Sequence, residues 1–244
     1  MVSGRAGGHL SAMQIDIWSD IACPWCYVGK RRFEEALRRF DHRDAVAVVW
    51  HSFELDPDAP VVHDEPQAEL LARKYRVPVA QAEAMNARMT AAAAEEGLDF
   101  RFDRVRVGNT FDAHRLVHLA HAHGRQDAMK ERLMRAYLTE GLSIGTAPVL
   151  QQLGEEVGLD AQLVRDTLDT DQYAAEVRAD ERRARELGIS GVPFFVIDGR
   201  YGVSGAQGAE VLHGALEQAW AESRAAVTIV GGDAEACGPD GCEV

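Results

Sequence analysis

The sequence is poor in cysteine, proline and aromatic residues. It has 4 cysteines and 8 prolines among 244 residues, and Phe, Trp and Tyr together make up 7%. So few cysteines exclude a disulfide-stapled scaffold, and a chain of this length buries enough apolar surface to fold without such cross-links. No stretch approaches the ~20 consecutive apolar residues that span a bilayer, so we expect no membrane partner.

Basic residues are also scarce. The 26 lysines and arginines are outnumbered by 39 aspartates and glutamates, which gives a formal net charge of -13. A surface of this sign repels phosphate, so we expect neither a nucleic-acid partner nor binding to anionic membranes. The first residues contain no continuous apolar stretch of the kind that a secretory signal requires, and we therefore expect a cytoplasmic protein.

The hydrophobic pattern changes twice along the chain. It opens as strand, helix, strand, which predicts a parallel strand pair with a right-handed crossover. Strand character returns only near the end, on both sides of the hairpin signal Asp198-Gly199. The predicted elements of these two regions are strand 14–19, helix 24–40, strand 45–53, strand 194–197, strand 201–204 and a helix over 211–220.

The stretch between these regions is rich in Ala, Leu, Glu and Arg and has almost no strand signal. Its predicted helices cover 67–75, 79–96, 111–123, 127–140, 148–157, 161–168 and 172–187. Glycines at 97, 124, 158 and 188 are predicted C-caps. A helical block between two halves of one sheet indicates an insertion. The expected division is an α/β unit of residues 14–60 and 188–224, a helical domain of 61–187 and a C-terminal tail of 225–244.

Two cysteines form the tetrad Cys23-Pro24-Trp25-Cys26 at a predicted strand-to-helix junction. With Cys23 at the N-cap, free N–H groups and the helix dipole favour its thiolate and lower its pKa from the usual ~8.5. The i, i+3 spacing brings the two sulfurs close enough to form a disulfide. We expect Cys23 to be the exposed nucleophile and Cys26, one turn further in, to be the resolving thiol.

A zinc site and a pair of inert buried thiols are the alternatives to redox chemistry. Structural zinc usually takes four ligands, and the other two would have to be Cys237 and Cys242, over 200 residues further along. Proline in the first helical turn suits a redox pair better than a zinc knuckle. Three histidines recur at helical spacing without an evident carboxylate partner: His114, His118 and His121. We therefore predict no metal and no cofactor.

The segments SDIACPWCYVGKRRFEEAL and GISGVPFFVIDGRYGVSGAQ resemble the DsbA-like branch of the thioredoxin fold, and within it the FrnE-like proteins. The resemblance runs from Gln14 to about Ser223. It implies an α/β, thioredoxin-like fold with a large all-α domain inserted between the second and third strands. It also implies a thiol–disulfide oxidoreductase or isomerase that acts on protein or small-molecule thiols and disulfides, with glutathione or a thioredoxin-type protein as reductant.

The resemblance also gives a role to the dipeptide Val192-Pro193. In thioredoxin-like proteins the X-Pro bond at the start of the third strand is cis and lies beside the CXXC motif. Proline cannot sit inside a ladder, and the Val192 backbone is left free to pair with an extended substrate peptide. The predicted catalytic residues are Cys23, Cys26 and Pro193, with Pro24, Trp25 and Val192 in support.

Two positions depart from relatives of this fold. Trp25 stands where strongly oxidising DsbA proteins have His, which predicts a reduction potential between those of DsbA and thioredoxin. Ile17 stands where thioredoxins bury a carboxylate, so Cys26 needs another proton acceptor. Asp20 is a candidate acceptor, and it is equally a candidate loop or capping residue. Asn109, Thr110 and His114 match an inserted helix whose residues would line the cleft above the tetrad.

The other two cysteines, Cys237 and Cys242, bracket the turn-forming sequence Gly-Pro-Asp-Gly. Some FrnE-like proteins carry a second C-terminal cysteine pair. The 13 residues from Arg224 to Cys237 extend up to ~43 Å, enough to reach Cys23. We predict a second redox pair, and a cysteine pair without function is the alternative.

Two further function classes remain open. A glutathione-dependent isomerase or transferase of the hydroxychromene-carboxylate (kappa-class) type shares the fold and the insertion. Such enzymes typically have Ser in place of Cys23 and lack the second cysteine, so the tetrad argues against this class. A non-enzymatic module that holds zinc or binds a partner is the third candidate.

Overall fold

The computed structural model describes residues 13–223. Its strands are β1 Met13–Ser19, β2 Val46–Ser52, β3 Phe194–Ile197 and β4 Tyr201–Ser204. Its α-helices are α1 Pro24–Arg39, α2 Gln67–Tyr75, α3 Val79–Glu95, α4 Phe111–Ala122, α5 Gln126–Arg135, α6 Ala147–Glu156, α7 Ala161–Asp169, α8 Ala174–Glu186 and α9 Ala209–Ser223. None of these helices is long and apolar enough to cross a membrane.

The four strands form one mixed sheet in the order β2-β1-β3-β4. Strand β1 pairs in parallel with β2, where Ile17 is opposite Trp50, and this confirms the predicted parallel pair. On its other side β1 pairs antiparallel with β3, where Ile17 is opposite Phe195. Strand β4 follows β3 as an antiparallel hairpin through Asp198 and Gly199, both in the left-handed region. The sheet therefore joins the two ends of the described chain.

The side chains of β1 alternate in direction and so contribute to the core on both faces of the sheet. Ile15 and Ile17 are buried on the face that α1 and α9 cover, where the rings of Phe33 and Phe195 lie 5.6 Å apart. Trp18 is buried on the opposite face in a smaller cluster with Ala184 of α8. Successive side chains of a strand point to opposite faces, so this short strand contributes to both layers.

Helices α2–α8 lie between β2 and β3 in the chain, which confirms the predicted all-α insertion. Helix α4 is its centre: it packs against α5, α6, α7 and α8. Helices α5 and α8 also contact β2, so the insertion packs directly against the sheet. The division into residues 14–60 with 188–224, 61–187 and 225–244 stays a prediction.

Most predicted helices begin and end within two residues of the observed ones, and the helix predicted over 127–140 differs from the observed one in the hydrogen-bonding pattern of its last five residues. Helix α5 ends at Arg135, and a π-helical turn covers Ala136–Glu140. Within this turn the carbonyl of Leu138 accepts a hydrogen bond from Arg101 N at 2.8 Å. Gly141, at φ 72°, then ends the segment. The glycines predicted as C-caps, 97, 124, 158 and 188, all have positive φ.

Candidate active site

Cys23 lies between the end of β1 and the start of α1. It is the N-cap residue of α1, and Pro24 occupies the first helical position, where its missing N–H costs nothing. A hydrogen bond from Cys26 N to the Cys23 carbonyl at 3.1 Å closes the first turn. The tetrad therefore has the strand-to-helix placement that the sequence predicts.

Two expectations about Cys23 are wrong. Cys23 is 5% exposed, and Cys26 is 1% exposed, so the first cysteine is buried rather than exposed. No N–H of the first turn donates a hydrogen bond to the Cys23 sulfur. The sulfur lies instead 3.7 Å from the carbonyl oxygen of Val192, because the segment before β3 passes over it. Within the tetrad the exposed side chain is Trp25, at 46%.

The Val192–Pro193 peptide bond is cis, as the resemblance implied. The Pro193 carbonyl accepts a hydrogen bond from Gly205 N at 2.8 Å, which ties this segment to the end of β4. A Cβ on Gly29 of α1 would lie 2.9 Å from Pro193 Cγ, so glycine allows the helix to approach the proline ring. Sequence reasoning missed Gly29, although a glycine inside a predicted helix is a signal of close packing.

Cys26 lies behind Cys23 and is protonated more readily than an ordinary thiol. Burial raises the pKa of Cys26, and its hydrogen bond to Cys23 and the charge of Cys23 raise it further. The charge of Lys130 and a hydrogen bond from the Asp20 backbone act in the opposite direction. Cys26 is therefore a neutral thiol at rest, and its thiolate needs stabilisation from nearby positive groups.

Asp20 organises the loop between β1 and the tetrad. Its Oδ2 accepts a hydrogen bond from Leu55 N at 2.8 Å, and its Oδ1 lies 3.2 Å from Nε2 of buried His114. Burial raises the pKa of Asp20, but these hydrogen bonds and the nearby positive charges bring it below the usual value. The candidate proton acceptor is thus an ionised carboxylate with both oxygens engaged.

Lys130 of α5 is a site residue that sequence reasoning missed. Its side chain is fully buried, and Nζ donates a hydrogen bond to the carbonyl of Ser19 at 3.0 Å. Burial lowers the pKa of Lys130 to about 8, although the charges of Cys26, Asp20 and Cys23 raise it. A lysine within the polar sequence of α5 predicts a solvent-exposed side chain, and nothing local distinguishes it.

The three histidines of α4 do not converge. His114 contacts Asp20, His118 contacts Ser52 and Asp180, and His121 is exposed. Over residues 13–223, no group of three or more His, Cys, Asp or Glu side chains is placed to hold a metal ion. Asn109 accepts a hydrogen bond from Phe111 N at 2.8 Å and so helps to start the helix.

A cleft of about 550 Å³ borders the loop that precedes Cys23. Its lining includes Asp20 and Ala22 of that loop, Thr110 before α4, and Leu70 and Leu71 of α2. Of the three residues expected to line a cleft, Thr110 lines this one, whereas Asn109 and His114 are not among its lining residues. The cleft lies between the loop that precedes Cys23 and the helical insertion. Cys237 and Cys242 lie outside the described residues, so the second redox pair stays a prediction.

A dithiol at the start of a helix, with a cis-proline segment over its first sulfur, defines a thioredoxin-like protein. Within that class, the chain belongs to the family of DSBA-like thioredoxin domains, whose family model matches residues 14–217. The matched range covers the sheet, the insertion and most of α9 of this chain.

The chain is 50% identical to the probable DsbA oxidoreductase SCO1869 from Streptomyces coelicolor, with a TM-score of 0.84 over 95% of this chain and 99% of that one. It is 30% identical over 209 residues to the uncharacterized protein YwbO of Bacillus subtilis, covering 84% of this chain and 96% of the relative.

Two more distant solved structures share the fold. One is a 2-hydroxychromene-2-carboxylate isomerase, 15% identical with a TM-score of 0.65 over 86% of this chain and 98% of that one. The other is the cytosolic disulfide reductase DsbM from Pseudomonas aeruginosa, 21% identical with a TM-score of 0.60 over 86% and 99%, which has also been solved with GSH. At these identities the likeness concerns the fold alone.

Proposed function

We propose that the protein is a thiol–disulfide oxidoreductase or isomerase that works through Cys23 and Cys26 in the cytoplasm. The observation that carries the proposal is the placement of two unbonded thiols at the start of α1, with the Val192 carbonyl 3.7 Å from the first sulfur. A helix N-terminus favours a thiolate, and the adjacent cis-proline segment offers backbone groups to an extended substrate. Membership of a DsbA-like family supports this chemistry.

The proposed reaction has two exchange steps. The Cys23 thiolate attacks a substrate disulfide, so that a Cys23–substrate bond forms and one substrate sulfur leaves as a thiolate. Cys26 then attacks the Cys23 sulfur, forms the Cys23–Cys26 disulfide and releases the second substrate sulfur. The substrate gains two electrons, and the two cysteines lose them. An isomerase cycle ends instead when another substrate thiol attacks the mixed disulfide.

A thiol reductant must return the Cys23–Cys26 disulfide to the dithiol. We propose glutathione or a thioredoxin-type protein for this role, and the DsbM structure with GSH supports the first choice. The predicted pair Cys237 and Cys242 would pass electrons between such a reductant and Cys23.

The glutathione-dependent isomerase class does not account for Cys26. That reaction needs no resolving thiol, whereas Cys26 is buried directly behind Cys23 and hydrogen-bonds to it. The zinc-holding alternative requires Cys237 and Cys242 as ligands, so metal analysis of protein purified without oxygen separates it from the redox function.

Reduction of insulin disulfides with dithiothreitol tests the proposal. The wild-type protein should accelerate the reaction, and Cys23→Ser should abolish the acceleration because no mixed disulfide can form. Incubated with insulin in the absence of dithiothreitol, Cys26→Ser should accumulate that mixed disulfide, detectable as a mass increase that later addition of dithiothreitol removes. The two variants are matched controls, since each removes one sulfur from the same turn.

Equal activity of all three proteins would contradict the proposal. The double variant Cys237→Ser/Cys242→Ser, assayed with glutathione as reductant, should lose turnover while it keeps the single-turnover reaction of Cys23. An unchanged turnover would remove the tail from the mechanism.

A further inference from the structure

One buried cation in the described part of the chain differs from the others. The buried lysines and arginines of residues 13–223 are Lys30, Arg115, Lys130 and Arg132. Three of them have a carboxylate oxygen within 4 Å, at 3.2 Å for Lys30, 2.7 Å for Arg115 and 2.9 Å for Arg132. Lys130 has no such partner among these residues. A buried charge without a counter-ion is costly, so its surroundings must explain its presence.

The surroundings of Lys130 lead to the active site. Its Nζ donates a hydrogen bond at 3.0 Å to the carbonyl of Ser19, the last residue of β1, and lies 5.8 Å from the centre of the Trp50 ring. The charges that raise the pKa of Lys130 are those of Cys26, Asp20, Cys23 and Asp180. The charge of Lys130 in turn lowers the pKa of His114. The two cysteines belong to the tetrad, and Asp20 lies in the loop before it. His114 is on α4 and Asp180 is on α8.

The two carboxylates of this set already have hydrogen-bond partners, which leaves the cysteines as the groups that Lys130 can stabilise, and Cys26 is the more deeply buried of the two. Asp20 already accepts hydrogen bonds from Leu55 N and His114, and Asp180 accepts them from Ser52 N and His51. The Cys26 thiolate has a backbone hydrogen bond from Asp20 and the charge of Lys130 in its favour. The ammonium group of Lys130 and a Cys26 thiolate therefore compensate each other in a site that excludes water.

We propose that Lys130, supplied by the helical insertion, is the positioning residue that stabilises the Cys26 thiolate in the resolving step. This inference rests on the proposed function. In that step Cys26–SH loses its proton, its sulfur bonds to Cys23, and the Cys23–substrate bond breaks. The substrate sulfur keeps the electron pair and takes up a proton, so that dithiol and disulfide are exchanged without a further reactant. The insertion thereby takes part in the chemistry as well as forming the cleft.

Asp20 is the rival candidate for assisting Cys26, and the geometry favours Lys130. An ionised carboxylate with both oxygens engaged is a weak base, and its charge opposes the formation of a second anion nearby. A cation on the sheet side of the tetrad has the opposite effect. The two candidates thus predict different consequences when the charge of residue 130 is removed.

The test uses the mixed disulfide of Cys23 with 2-nitro-5-thiobenzoate, whose coloured thiolate is released when Cys26 resolves it. Its release rate is measured against pH in the wild-type protein, Lys130→Met, Lys130→Arg and the control Arg132→Met, a buried cation of the same helix. In Lys130→Met the midpoint of the curve of release rate against pH should rise by at least about one pH unit. Release of the thiolate at neutral pH is then about tenfold slower. Lys130→Arg and Arg132→Met should keep the wild-type midpoint.

A second measurement needs no substitution. With ¹³C-labelled lysine, the titration of Lys130 is followed by NMR in the dithiol and disulfide forms of the wild-type protein. The pKa of Lys130 should be higher in the dithiol form, because thiolate charge exists only there. Identical titrations in both forms, or a folded Lys130→Met with the wild-type midpoint, would overturn the inference. If the wild type releases no thiolate at any pH, the proposed function fails instead.

Discussion

At the scale of single residues, His51 connects the sheet to the helical insertion. Its Nε2 lies 2.8 Å from Asp16 on the neighbouring strand, its Nδ1 lies 2.7 Å from Asp180 of α8, and its ring stacks on Trp18. Burial lowers the pKa of His51, but the hydrogen bonds with Asp16 and Asp180 and their charges raise it to about 9. The imidazolium therefore acts as the cation between two carboxylates.

The raised pKa predicts a pH-dependent stability. A histidine with a pKa of about 9 in the folded state and 6.5 in the unfolded state stabilises the fold fully below pH 6.5. That contribution is lost as pH rises to about 9, and it amounts to roughly 3 kcal/mol from the size of the shift. Urea unfolding of the wild-type protein and of His51→Gln between pH 6 and 10 should show a difference in unfolding free energy that becomes smaller as the pH rises.

The exposed His121 supplies the control, since His121→Gln should follow the wild-type curve at every pH. A constant difference between the wild-type protein and His51→Gln from pH 6 to 10 would mean that the imidazole is neutral in the fold.

At the scale of elements, strand β2 lies at the edge of the sheet, and a side chain completes its hydrogen bonding. Gln126, the first residue of α5, accepts a hydrogen bond from Trp50 N at 3.0 Å and donates one to Trp50 O at 2.8 Å. The amide thus makes both bonds that a neighbouring strand would make. It pins the start of α5 to the strand one turn before Lys130, whose Nζ donates a hydrogen bond to the carbonyl of Ser19.

Removing the Gln126 amide should therefore destabilise the protein. Gln126→Ala leaves a buried N–H and a buried C=O of Trp50 without partners, at a cost of roughly 2 kcal/mol or more in unfolding free energy. Gln218→Ala, which removes the amide bonded to Glu222 on the exposed face of α9, should change it by less than about 0.5 kcal/mol. Equal losses in the two variants, measured by urea unfolding, would show that the bonds to β2 add nothing.

At the scale of the whole molecule, the insertion and the loop that precedes Cys23 together form the cleft. Leu71 of α2 lines the cleft, although α2 begins 15 residues after the end of β2. Because the cleft borders the loop that precedes Cys23 and does not include the cysteine itself, we expect it to select substrates without changing the proposed nucleophile.

Filling the cleft should separate binding from chemistry. Leu71→Trp should lower kcat/KM for insulin reduction about tenfold, equivalent to ~1.4 kcal/mol of transition-state binding. The reaction of Cys23 with a small aromatic disulfide should stay within about twofold of the wild-type rate, because that reagent needs little of the cleft. Val211→Trp, at an exposed position of α9, is the control of equal size. A parallel loss of both reactions would mean that the substitution disturbs the tetrad.

The sequence by itself determined the elements and the pair of sulfurs that we propose to react. The period of the hydrophobic pattern, the glycines after the helices and Pro24 after Cys23 act over a few residues, so they could be interpreted without the fold. The tetrad and Val192-Pro193 were likewise recognisable as short motifs. These features suffice to predict the parallel strand pair at the start of the chain, the helical insertion and the pair of sulfurs.

Only the tertiary structure decided how those sulfurs are surrounded. The cover of Val192 over Cys23, the two bonds of Gln126 to β2 and the contact of Lys130 with Ser19, 111 residues away, join segments that are distant in the chain. The amphipathic pattern of α5 could not reveal that its lysine faces the sheet. The cost of burying its charge depends on the groups that surround it, and packing alone brings those groups together.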